Sequence, residues 1–191
     1  MRNAKQAYIF DFDGVLANSM EAHFACYKQA LEEAGVPIDK TQFYYQAGMT
    51  GREQIRYFAD QAGVTVDVER VYQRNQELKP AHVHRIAAIE VNIELLRTLR
   101  AAGHPVAIAS GSTTRSILPV MERFGIEVDA MATADCVNRG KPHPDLFLAA
   151  ADRLGVPPSQ CTVIEDAEVG VQAALAAGMH VLRYHAKEGG D

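Results

Sequence analysis

An α/β fold, a doubly wound parallel-sheet Rossmann-like core carrying a small inserted all-α helical cap, is what this 191-residue sequence predicts. Three observations carry the expectation. Five short apolar runs read as buried strands. The last four alternate with amphipathic stretches of helical period, the signature of parallel β–α–β units. Between the first and second runs lie more than ninety residues with helical period and no convincing strand.

The elements follow in order. "AYIFDF" (7–12) is the first strand. Met20, Phe24, Tyr27, Leu31 and Ala34 then repeat at steps of four and three, one face of a helix. Ile55, Phe58 and Ala62 mark a second helix, Val68, Val71, Asn75 and Leu78 a third, and Ile93, Leu96 and Leu99 a fourth that leads into the second strand, "PVAIAS" (105–110). "VDAMAT" (128–133), "CTVIED" (161–166) and "MHVLRY" (179–184) complete the sheet. Between them Ile117, Met121 and Phe124 share one helical face, as do Leu146, Ala150 and Leu154. Gly103, Gly125, Gly155 and Gly178 stand where helices stop before the next strand. Residues 1–17 and 85–191 are thus expected to form the α/β core, and 18–84 the helical cap.

Composition narrows the function. The chain is 48% hydrophobic, with a formal charge of −5 and both signs spread along it. A nucleic-acid or membrane-surface binder would show a basic stripe instead. Cys26, Cys136 and Cys161 are odd in number and lack CxxC spacing, so they read as reduced thiols of a cytoplasmic protein. Neither a signal peptide nor a membrane span is visible. A monomer with neither nucleic acid nor membrane as partner is the expectation. "HVH" (82–84) reads as linker, since no third ligand of matching spacing is near. The chain has no GxxxxGK[ST] loop.

Open parallel sheets collect ligands beyond the carboxyl ends of their strands. Those ends would deliver Asp11 and Asp13 in "DFDGV", Ser110 in "ASGST", Lys141 in "RGKPHPD", and Glu165 and Asp166 in "VIEDAEVG". Four carboxylates so placed repel one another unless a cation sits among them. Mg²⁺, which takes one or two carboxylates plus a substrate phosphate and keeps several waters, suits the set. Lysine adds fixed charge and the serine hydroxyl a hydrogen bond to the same phosphoryl oxygens. This is equipment for phosphoryl transfer to a carboxylate. Asp11, at the strand end, is the expected nucleophile. Asp13 lies about 6–7 Å further along an extended chain, and the turn at Gly14 can swing it toward the leaving oxygen as acid and then base. Glu165 and Asp166 would anchor the metal, and can also serve the start of the helix near Ala167.

"DFDGV", "SGS", "GKPHPD" and "EDAEVG", in this order, resemble the four motifs of the haloacid dehalogenase superfamily. The inserted module is similar to that of its β-phosphoglucomutase-like branch, which includes many sugar-phosphate phosphatases. The resemblance implies that Asp11 is the nucleophile and Asp13 the acid/base and a metal ligand through its backbone carbonyl. It makes Asp11, Glu165 and Asp166 the remaining metal ligands, and Ser110 and Lys141 the holders of the transferring phosphate. Phe12, Gly111 and Ser112 would bind the same group through the two motif loops. From the cap it implies substrate contacts by His23, Arg52 in "TGREQ" and Arg74 in "YQRNQ".

The chain departs from the mutase pattern in three places. Glu90-Val91 replaces the usual "PG", Thr113 and Thr114 stand where a mutase often has Lys, and the spacing from Gly48 to Arg52 is one residue longer. A Mg²⁺-dependent phosphatase of small sugar phosphates is therefore the leading expectation. β-Phosphoglucomutase or a related hexose-phosphate mutase is the alternative. A catalytically idle binding module comes third, and a dehalogenase, which would not require Glu165 and Asp166, comes last.

Overall fold

The computed structural model describes residues 6–46 and 49–185. Gly48, with the spacing drawn from it, and the outer ends of the expected core (1–5 and 186–191) lie outside the described residues.

Strand β1 (Ala7–Phe10) is followed by a tight turn and a two-residue strand, β2 (Ala17–Asn18). Four helices come next: α1 (Met20–Glu33), α2 (Lys40–Tyr45), α3 (Gly51–Ala62) and α4 (Val68–Leu78). A 3₁₀ stretch (Lys79–Arg85) and β3 (Ala87–Ala88) return the chain to the sheet. Then α5 (Glu90–Ala101), β4 (Val106–Ala109), α6 (Thr114–Phe124), β5 (Ala130–Ala132), α7 (Asp145–Leu154), β6 (Cys161–Glu165), α8 (Glu168–Ala176) and β7 (His180–Arg183) alternate.

The main sheet has the order β5-β4-β1-β6-β7, and every pair in it is parallel. Strand β1 therefore lies at the centre, with β4 and β6 against it. Alternation along the strands feeds the two faces differently. Phe10, Ile108 and Ile164 join Ile93, Leu96, Ile117 and Met121 on the face covered by α5 and α6. Ile9, Ala107, Ala109 and Val163 join Leu146, Phe147, Ala150 and Ala173 under α7 and α8. Four helices can thus cover both faces of a strand set that is apolar throughout. The inserted helices build their own core from Tyr27, Leu31, Phe43, Ile55, Phe58, Val71 and Tyr72.

Two features depart from the sequence expectation. The long gap between the first two core strands is not strand-free: β2 and β3 pair antiparallel, Ala17 opposite Ala88 and Asn18 opposite Ala87. Two residues per strand are too few to leave a period of two in the sequence. Helix α2 is the second departure. It has six residues and one buried side chain, Phe43, and is started by Asp39, whose carboxylate accepts the Gln42 N–H at 2.9 Å. All five core strands end one or two residues earlier than the apolar runs suggest. The carboxylates at positions 11, 13 and 166 consequently stand just beyond the sheet.

Candidate active site

The turn after β1 sets the first part of the site. Phe12 is buried, and its carbonyl accepts the N–H groups of both Leu16 and Ala17 at 3.0 Å, which closes the turn. Gly14 sits in that turn at φ 97°, where only glycine is at ease. A Cβ there would also lie 2.3 Å from Asp166 Oδ2, so the backbone passes against the carboxylate at the end of β6. The Asp11 N–H continues the ladder by donating to Ile164 O at 2.9 Å. Asp11 is thereby fixed between the ends of β4 and β6.

Lys141 reaches the same point from the loop before α7. Its Nζ donates to Asp11 Oδ1 at 2.6 Å and lies 3.3 and 3.4 Å from the two Glu165 oxygens. The Lys141 side chain is wholly buried and stands 4.9 Å over the Phe147 ring. Asp11, Glu165 and Asp166 each bring a carboxylate oxygen within 4.8 Å of the others. Like charges at that spacing cost about 3 kcal/mol per pair at an effective dielectric constant near 20, and one lysine cannot balance three acids. Burial pushes the Asp11 carboxyl up to about 6, opposed by Lys141 and reinforced by Asp166 and Asp13. Burial likewise raises Glu165, with repulsion from Asp11 adding to it, and raises Asp166. Burial pulls the Lys141 ammonium down, but Asp11 and Glu165 more than offset it and keep the amine charged. Asp166 Oδ1 is buried without a hydrogen-bond partner among the described residues. Three hard oxygen donors, one of them orphaned, fit a hard divalent cation.

Asp13 belongs to a different network. Its Oδ1 accepts from the Ser19 hydroxyl and lies 2.8 Å from His23 Nε2; its Oδ2 accepts from Ser112 at 2.7 Å and Ser110 at 3.3 Å. Ser19 is the residue before α1 and makes no side-chain cap to that helix, its hydroxyl being given to Asp13. His23 stands one turn on, so both reach the same carboxylate. Burial raises Asp13, but His23 and the Ser19 and Ser112 hydroxyls outweigh it and hold this carboxyl well below the usual range. The Asp13 side chain is not part of the acidic cluster of Asp11, Glu165 and Asp166.

Above these groups lies a cavity of ≈ 620 Å³, its open mouth included, walled by the core on one side and the inserted helices on the other. Asp11, Asp13, Gly111, Ser112 and Glu165 line the core side, and His23, Gln54, Tyr72, Gln76 and Lys79 the other. Two residues expected there are elsewhere. Arg52 forks onto Glu69 at 2.8 and 3.0 Å and stacks 3.9 Å from the Tyr72 ring. Arg74 forks onto Glu33 at 2.7 and 3.1 Å and faces away from the cavity. Helix phase explains the error for Arg74: Tyr72, Gln76 and Lys79 share one face of the helix, and position 74 is not on it. Lys79 is the cation that sequence reasoning missed, although that same spacing of four and three points to it. Its Nζ donates to Ser116 Oγ at 3.0 Å, and burial lowers its affinity for the proton.

Comparison with known proteins agrees with this geometry. The family described as haloacid dehalogenase-like hydrolase matches residues 8–184. The chain belongs to that family. It is 30% identical over 183 residues to hexitol phosphatase A of Escherichia coli, covering 95% of this chain and 83% of that one. It is 28% identical to β-phosphoglucomutase of Bacillus subtilis, over 91% of this chain and 80% of that one. A hydrolase from Pseudomonas syringae of known structure superposes with a TM-score of 0.87 at 28% identity, over 94% and 84% of the two chains. The enzyme class read from the motifs, a phosphoric monoester hydrolase, agrees with these relatives. Among the described residues no helix is long and apolar enough to cross a membrane.

Proposed function

We propose that this haloacid dehalogenase-like hydrolase is a Mg²⁺-dependent phosphatase of small sugar phosphates, cytoplasmic and monomeric, with residues 18–84 as its cap. The observation that carries the reading is Asp11: a buried carboxylate held 2.6 Å from Lys141, lining the cavity and beside two further acids.

The residues divide the work as follows. Asp11, Glu165 and Asp166, with the Asp13 carbonyl, would hold Mg²⁺, which when bound neutralises the acids and the phosphoryl oxygens they face. Lys141 and the Ser110 and Ser112 hydroxyls, with the backbone at Phe12 and Gly111, hold the phosphoryl group. An Asp11 oxygen attacks phosphorus, the ester P–O bond breaks, and the leaving oxygen takes a proton from Asp13. Asp13 then takes a proton from water as that water attacks the phosphorylated Asp11, the Asp11–phosphorus bond breaks, and inorganic phosphate leaves. Bound as it is to Ser19, His23 and Ser112, Asp13 is in the ionised form that serves the second step. For the first step it takes up a proton and leaves that network.

Hydrolysis is favoured over mutase chemistry because Arg52 and Arg74 are both occupied by glutamates outside the cavity. Among the described residues that line the cavity, Lys79 is then the one lysine or arginine left for a second phosphate. The relatives named hexitol phosphatase and β-phosphoglucomutase support the sugar-phosphate class without choosing within it. The test is a phosphate-release screen across sugar phosphates with and without Mg²⁺, with Asp11→Asn as control. Release that needs Mg²⁺ and falls by about 10³-fold or more in the variant supports the reading. Isomerisation of β-glucose 1-phosphate, given traces of the bisphosphate and without net phosphate release, would replace it with the mutase.

A further inference from the structure

Resting on that reading of the cavity, we propose that Glu53 is a positioning residue of the reaction: its carboxylate latches the cap onto the backbone of Gly140, the residue that precedes Lys141.

The juxtaposition is unusually direct. Glu53 lies in the first turn of α3, and its Oε2 accepts the Thr50 N–H at 2.9 Å and the Thr50 hydroxyl at 2.6 Å. The same carboxylate accepts the Gly140 N–H, at 3.1 Å to Oε2 and 3.2 Å to Oε1, across 87 positions of sequence. An N–H to an ionised carboxylate is among the stronger hydrogen bonds available to a backbone group. Both ends of the bridge are anchored. On the cap side Thr50 and Glu53 brace each other. On the core side Arg139 forks onto Asp145 at 2.8 and 3.0 Å, which pins the loop to the start of α7.

Gly140 explains why the approach can be this close. It is buried and has an ordinary φ, so the turn itself does not require glycine. A Cβ at Gly140 would lie 2.6 Å from Thr50 N and 2.7 Å from Glu53 Oε2. The first of these is backbone and cannot swing aside. Glycine is therefore needed here by the cap and not by the loop. The latch engages when the α3 end of the cap lies over the loop, and the next residue along that loop is Lys141, on Asp11. Cap closure and placement of the lysine are one event.

Amide exchange followed by NMR, together with kinetics, tests this. Gly140 N–H in the wild-type protein should exchange at least tenfold more slowly than an open loop amide. Glu53→Gln keeps a residue type that suits the helix start but sets an NH₂ against the Gly140 N–H. It should speed exchange at Gly140 about tenfold with little change in melting temperature, and Glu53→Ala should speed it further. Thr50→Ala removes only the helix-start half and should lower the melting temperature while leaving Gly140 protected. If the latch sets the fraction of closed cap, KM rises about tenfold in Glu53→Gln and kcat stays within about twofold. Gly140→Ala, which retains both Glu53 and Lys141, should raise KM at least as much. Fast Gly140 exchange in the wild-type protein, or exchange unmoved in both Glu53 variants, overturns the latch; so does a fall in kcat with KM unchanged. Should no sugar phosphate prove to be a substrate, the exchange measurements still decide the latch, and the phosphatase reading fails separately.

Discussion

Position 79 and positions 52 and 74 show how little a cationic side chain says until its partners are known. All three are basic residues of the inserted helices, and each could face a phosphorylated ligand. Arg52 and Arg74 instead form bidentate pairs with Glu69 and Glu33 at the surface, and exposed pairs of this kind contribute little to stability. Among the described residues Lys79, which lines the cavity, hydrogen-bonds no carboxylate and donates to the Ser116 hydroxyl. A ligand anion gains more from an amine so placed than from a guanidinium it must first take from a glutamate. Lys79→Ala is therefore expected to raise KM by about 10- to 100-fold, the loss of one charge-assisted hydrogen bond or slightly more. Arg52→Ala and Arg74→Ala should each change it less than about threefold, within the small effects typical of exposed pairs. Steady-state kinetics on the best substrate of the screen separates the two patterns. A larger effect at Arg52 would return the cap arginines to the site.

Elements long enough to repeat their period were legible in the sequence, and the short or tertiary features were not. The apolar runs at 7–12 and 161–166 gave the central strands because a buried parallel strand is apolar on both faces, as Ile9 and Phe10 are. The acids that follow those runs pointed to the sheet edge, which is where Asp11, Glu165 and Asp166 meet. The pairing of Ala17 with Ala88, and the approach of Glu53 to Gly140, leave no local trace, because each depends on segments far apart in the chain. Glycines divide in the same way. Gly155 ends α7 at φ 66° with open space for 4 Å around the point a Cβ would occupy, a local role announced by its place before a strand. Gly170 lies inside α8, where glycine is a poor helix former, and its reason is tertiary: a Cβ would sit 1.4 Å from Glu165 Oε1. Gly170→Ala is accordingly expected to expel the Glu165 side chain, costing about 1–3 kcal/mol for overpacking and lowering phosphate release by about 100-fold. Gly155→Ala should cost about 1 kcal/mol through its φ alone and leave turnover unchanged. Melting curves and phosphate release on the two variants check the contrast. Unchanged turnover in Gly170→Ala would show that Glu165 has room to move without consequence.

For the molecule as a whole, stability and metal affinity are linked through the buried acids. Asp11 is raised from 3.8 to about 6 in the folded chain, by burial first and by Asp166 and Asp13 next, against the pull of Lys141. A carboxyl raised on folding favours the fold while protonated. Its contribution is complete below the unfolded value of 3.8 and disappears as the pH rises through about 6. Two pH units at one site correspond to about 3 kcal/mol. Glu165 and Asp166 shift in the same direction. Asp13 has the opposite sign, but its held-down carboxyl loses its contribution only as the pH falls below 3.8, so the two effects occupy separate windows. The metal-free protein should therefore melt at a lower temperature near pH 7.5 than near pH 5. A divalent cation binds the ionised acids and must displace protons at the lower pH but few at the higher one. At about a hundred times its Kd, Mg²⁺ adds about 2.7 kcal/mol to a fold that binds it, roughly 5–10 °C in a chain of this size. That increment is expected near pH 7.5, to shrink to less than about half near pH 5, and to vanish in Asp166→Asn. Thermal melts with MgCl₂ and with EDTA at the two pH values measure it directly. An increment independent of pH, or one that survives in Asp166→Asn, would mean that the ion binds somewhere other than among these acids.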